Sequence, residues 1–178
     1  MKSSKDEQKA IEEREYFKLF AEKKGIALTD NNFESRCEPE PDILYQGELE
    51  TIVFELTNCL EQEIQHDVGK RKKATVSSTA FWLDSDHCET VLKSKLGKVE
   101  YQSKHSVELV VFYGLNGQNC AAADDFYTGK LSCVVKEWVT EQKPIQFRRI
   151  WYLGKDDVYL LYSLLEESTY ELDPNSGY

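Results

Sequence analysis

Ile11, Tyr16, Leu19, Phe20 and Lys23 mark a helical pattern of three- to four-residue period through residues 7–24, and Gly25 follows that stretch. That period predicts an amphipathic helix closed by a glycine stop. Glu15 falls in the same row as Ile11 and Leu19, either as an edge residue reaching solvent or as an acid aimed inward. Residues 26–40 are rich in Asp, Asn and Glu and read as a loop. Two strands are expected at 43–46 and 49–57, joined through Gly47-Glu48 by a two-residue type II′ turn. Residues 58–76 are polar and basic, expected as a short helical start and then an exposed loop, and an apolar patch follows at 80–83.

Asp84-Ser85-Asp86 is a helix N-cap signal, and Val91, Leu92 and Leu96 give the ensuing helix an apolar face to about residue 99. Residues 107–113 are apolar except for Glu108 and predict a buried strand, followed by a loop at 115–120. Leu131, Val134, Val135, Trp138 and Val139 mark a helix over 131–142, with a start as early as residue 122 also open, and Pro144 ends it. Two β-rich runs, 145–153 and 158–163, flank a hairpin signal at 154–157. The order is N-terminal helix, hairpin, helix, strand, helix, C-terminal hairpin. It predicts a single α/β domain with a mixed central β-sheet flanked by helices, a core of about 8–164, and flexible tails at 1–6 and 165–178.

Composition narrows the function. The chain carries a net charge of −10, which disfavours tight autonomous DNA binding and suits docking to a basic protein partner. Basic residues cluster locally at Lys70-Arg71-Lys72-Lys73, at Lys93, Lys95 and Lys98, and at Arg148-Arg149. The five cysteines are odd in number and never spaced as CxxC, so free, mostly buried thiols in a reducing, cytoplasmic setting are expected. Zinc on Cys59 with His66, or on His87 with Cys88, lacks a four-ligand spacing. No apolar run is long enough for a membrane span, and no signal-peptide pattern opens the chain. Trp82, Trp138 and Trp151 read as core or hairpin aromatics, and the three histidines have no triad partner.

One pair of residues stands out. Strand alternation puts Val53, Glu55 and Thr57 on one face. With Gly47-Glu48 as the turn, Gln46 would pair with Leu49, Asp42 would oppose Val53, and Glu55 would be its same-face diagonal neighbour, roughly 5–8 Å away. Two carboxylates converging in this way favour a divalent cation between them, Mg²⁺ or Mn²⁺. The plain alternatives are Asp42 as a turn former, Glu55 as a solvent-facing strand residue, and Lys93 and Lys95 as a solvated helix face.

Pro41-Asp42, a short turn, and an apolar strand ending Phe54-Glu55-Leu56-Thr57 resemble the core of the PD-(D/E)xK, restriction-endonuclease-like nucleases. The order of elements over about residues 10–115 is similar too. The resemblance implies a restriction-endonuclease-like core and metal-dependent hydrolysis of a phosphodiester in DNA or RNA. Asp42 and Glu55 would be the metal ligands, Glu15 (or Glu12) the accessory helix acid, and the Lys70–Lys73 loop a phosphate contact. Thr57 stands where the family has lysine and would be left to position a water. Lys95 or Lys93 could supply the missing cation, the metal could suffice alone, or the scaffold could be a non-catalytic acidic interaction protein of immunity or regulatory type.

Overall fold

A computed structural model describes residues 4–37, 39–60, 85–98, 101, 103–115, 118–119 and 124–164. The Lys70–Lys73 run, Trp82, Cys120 and the expected tail at 165–178 lie outside the described residues. Helix α1 (Ser4–Lys24) begins inside the stretch expected to be a flexible tail. It is followed by strands β1 (Phe33–Ser35), β2 (Ile43–Gln46) and β3 (Thr51–Asn58), then helix α2 (Ser85–Leu96) and strand β4 (Ser106–Phe112). A small hairpin of β5 (Gly114–Leu115) and β6 (Gln118–Asn119) precedes helix α3 (Asp124–Thr140) and strands β7 (Arg149–Leu153) and β8 (Val158–Ser163).

Six strands form one mixed sheet in the order β1-β2-β3-β4-β7-β8. The central pairs β3–β4 and β4–β7 are parallel, and the flanking pairs are antiparallel. The two parallel connections step across the sheet in the same direction. Right-handed crossovers therefore place α2 and α3 on one face and leave the other for α1. On the α1 face, Tyr16, Phe17 and Phe20 pack against Ile43, Phe54, Leu56, Phe112 and Trp151. On the opposite face, Leu92, Leu96, Leu131 and Val135 cover Val53, Leu109, Val111, Ile150 and Tyr152. This sandwiching makes β3 continuously buried from Val53 to Thr57, Glu55 and Thr57 included.

Gly25 closes α1 in the left-handed region at φ 72°. Its successor Ile26 donates to the Ala21 carbonyl at 2.8 Å, as a left-handed helix cap requires. Gly114 is needed for a different reason, because a Cβ there would lie 2.2 Å from the Tyr16 ring.

Several boundaries differ from the sequence reading. The β2–β3 turn has four residues, not two: Gly47 N–H donates to Glu50 O at 3.0 Å, and Leu49 is 99% exposed ahead of β3. Short strands β1 and β5–β6 occupy stretches expected to be loops, α3 starts at Asp124, and residues 145–148 precede the strand they were expected to begin. The four described cysteines are free, Cys59 and Cys88 buried but Cys37 and Cys133 exposed. Trp151 is a core residue, whereas half-buried Trp138 donates to the Pro144 carbonyl at 3.2 Å. Among the described residues no helix is long and apolar enough to cross a membrane.

Candidate active site

The longer turn moves the hairpin register by two residues, from Gln46 opposite Leu49 to Gln46 opposite Thr51. Because a strand alternates with period two, a slip of two preserves every face. Asp42 and Glu55 therefore still share a face, and they stand more directly opposite than the diagonal expected. Ile43 pairs with Phe54, and the next step out brings Asp42 to Glu55. β2 begins at Ile43, so just before it the Asp42 carboxylate takes over the ladder: Leu56 N–H donates to Asp42 Oδ2 at 2.8 Å. Asp42 and Glu55 are 8% and 4% exposed, which excludes an ordinary solvent-facing role for Glu55.

Helix α2 supplies a cation to this pair. Leu92 and Leu96 dock on the sheet, and Lys95 turns back over β3. Its Nζ donates to Glu55 Oε1 at 2.6 Å, with Lys98 Nζ 3.9 Å from the same oxygen. Lys93 lies elsewhere, paired with Glu89 at 2.5 Å and 3.9 Å from Glu137.

Helix α1 supplies the third acid, and it is Glu13. Lys9 Nζ lies 3.2 Å from Glu13 Oε1 and 3.9 Å from Asp42 Oδ1, tying the helix to the hairpin. Burial, and next the Asp42 charge, push the Glu13 carboxyl up to about 7. The Asp42 carboxyl is also raised, first by burial and then by Glu55, against the opposing pull of the Leu56 N–H, Lys9 and Lys95. Glu15 is half exposed and paired with Lys18 at 2.7 Å, and Glu12 is exposed and accepts from Gln8.

Thr57 is 4% exposed, and its Oγ1 has no hydrogen-bond partner among the described residues. Tyr101 has a similarly unpartnered, buried hydroxyl, and its phenol is pushed up by burial and by neighbouring Glu55. The site thus gathers Glu13, Asp42 and Glu55 with Lys9, Lys95, Lys98 and Tyr101. Among the described residues, no group of three or more acid, histidine or cysteine side chains is disposed to hold a metal ion.

The sequence carried a signal for Glu13. The helix face is set by Tyr16, Phe17 and Phe20, not by Ile11, which is 57% exposed. Counting back one turn from Tyr16 and Phe17 reaches Glu13, and another turn reaches Lys9. Lys98 and Tyr101 had no comparable signal, since both lie at or beyond the end of α2. Compared with known proteins, the chain matches no family model, no curated protein and no solved structure.

Proposed function

We propose that this protein hydrolyses phosphodiester bonds in nucleic acid with a divalent cation, on a PD-(D/E)xK-like site whose lysine has moved from the strand to helix α2. The observation that carries the reading is the 2.6 Å contact between Lys95 Nζ and Glu55 Oε1. It puts an ammonium beside the second acid of the hairpin although Thr57 occupies the usual position. The helix–hairpin–helix–strand order supports a restriction-endonuclease-like core.

The donor set fits a hard cation. Glu13, Asp42 and Glu55 offer only oxygen, the ligand class that Mg²⁺ and Mn²⁺ take. The Glu13 and Asp42 carboxyls are raised first by burial and second by each one's neighbouring carboxylate, and a bound cation would relieve that second part. Asp42 and Glu55 would hold the ion, and Glu13 would join them from α1. A bound divalent cation lowers the pKa of a water and offsets charge on phosphate. Lys95 would stand beside such a water and offset the charge that develops on the phosphate oxygens. The Leu56 N–H fixes Asp42 Oδ2, while Oδ1 faces Lys9 at 3.9 Å.

The test is Mn²⁺-dependent cleavage of single- and double-stranded substrates by wild type, Glu55→Gln and Lys95→Met. Cleavage lost in both variants upholds the reading. Equal turnover in all three, or none in any, defeats it. The second outcome favours the other reading, a non-catalytic acidic protein binding a basic protein partner, which the net charge of −10 supports.

A further inference from the structure

A groove of about 530 Å³ opens beside the carboxylates, lined by Arg36, Glu40, Pro41, Leu44, Val53, Ser103, Lys104 and His105. Its floor is the cross-strand pair Leu44–Val53. Leu44 lies two residues from Asp42, and Val53 two from Glu55, so the floor is on the same face as the acids. Two residues along a strand is about 7 Å. The groove is therefore the next position along the hairpin from the acidic cluster.

Its chemistry is split. Pro41, Leu44 and Val53 give an apolar bed, while Lys104 and His105 form a wall in the segment leading into β4. Arg36 is already held by Glu34 and Glu40. Lys104 is exposed and makes no ion pair among the described residues. The bed is aliphatic and only its edge is exposed, so it offers one base van der Waals contact, not aromatic stacking, while the adjoining lysine suits that nucleotide's phosphate. A duplex asks for more, because its binders neutralise many phosphates at once. A chain of net charge −10 with a short basic wall is poorly built for that.

We infer that this groove receives one unpaired nucleotide next to the scissile phosphate, making single-stranded nucleic acid the substrate class. The inference rests on the hydrolytic reading of the Asp42–Glu55 site. Lys104 contacts the neighbouring phosphate and is a binding residue, apart from the chemistry.

The test measures fluorescence anisotropy of labelled hexanucleotides, DNA and RNA, each single-stranded and as a blunt duplex, in Ca²⁺ over a range of salt. Cleavage in Mn²⁺ is measured separately. The expected result is tighter binding of the single strands, with Lys104→Glu weakening it, lowering the salt slope by about one, and Lys104→Arg restoring it. The DNA and RNA arms show which sugar the groove takes. Duplex binding as tight as single-strand binding, or an unchanged slope in Lys104→Glu, overturns the groove assignment even if cleavage persists. Groove-dependent binding without cleavage upholds the assignment and removes the hydrolytic reading. No binding of any probe overturns the assignment.

Discussion

Lys95 on helix α2 and Glu55 on strand β3 meet with Nζ 2.6 Å from Oε1, forty residues apart in sequence. Lys95→Met is expected to lower kcat by about 10²–10³, the range for removing one preorganised charge-stabilising donor. Lys93→Ala, which disrupts only pairing to Glu89 and Glu137, should leave it unchanged. Single-turnover cleavage in Mn²⁺ checks both, and equal losses in the two variants would refute the placement of the cation.

Helix α1 gives a second expectation, because Glu13 faces Asp42 while Glu15 pairs with Lys18. Glu13→Gln should weaken Mn²⁺ binding in calorimetry, and Glu15→Gln should not.

The same residue sets a pH dependence in metal-free protein. Folding raises the Glu13 carboxyl from its ordinary 4.5 to about 7, so the folded state holds the proton more tightly. The associated stability is fully present below pH 4.5 and is lost as pH rises to about 7. Asp42, also raised, acts in the same direction. Urea melts of chelator-treated protein should show a midpoint that falls across this window. In Glu13→Gln the fall should be shallower.

On the α1 face, Glu108 is 2% exposed and accepts from Trp151 Nε1 at 2.6 Å and Arg149 Nη1 at 3.1 Å. Glu108→Ala leaves a buried indole N–H and a half-buried guanidinium without their acceptor. About 3 kcal/mol of destabilisation is expected, in the range for breaking one side of a buried pair. Glu108→Gln keeps an acceptor for Trp151 and should cost less by denaturant titration.

Gly114→Ala should also destabilise, by about 1–3 kcal/mol, the range for overpacking a filled site. The added Cβ would meet the Tyr16 ring at 2.2 Å. Thermal melts should show the loss reduced in the double variant with Tyr16→Ala.

The α/β class and the order of the main elements were legible because each long helix and central strand carries its own period. The face shared by Asp42 and Glu55 was legible for a less secure reason. Leu49 looked like a strand residue, but it is exposed at a four-residue turn, and the resulting error of two positions cancels in a period-two element. A slip of one would have sent Glu55 to the α1 face. The helix acid was misread because Ile11 was taken as a stripe residue and Phe17 was not. Three-residue β1 and the two-residue strands β5 and β6 are too short to carry a period at all. That Lys95, rather than Lys93, reaches Glu55 depends on how α2 rotates on the sheet, and this is fixed by Leu92 and Leu96 packing across it.

A lysine on the same strand as its acid would travel with it, whereas a lysine on α2 travels with the helix. The seam between them is held at Glu55–Lys95 and again where buried Cys59 and Cys88 join one apolar cluster. From Cys88 to Lys95 the helix advances about 10 Å, and from Glu55 to Cys59 the strand advances about 13 Å in the opposite sense. The two contacts act as the two ends of a ruler laid along β3. Anything that slides α2 by one turn would unseat the ammonium while leaving all three acids in place.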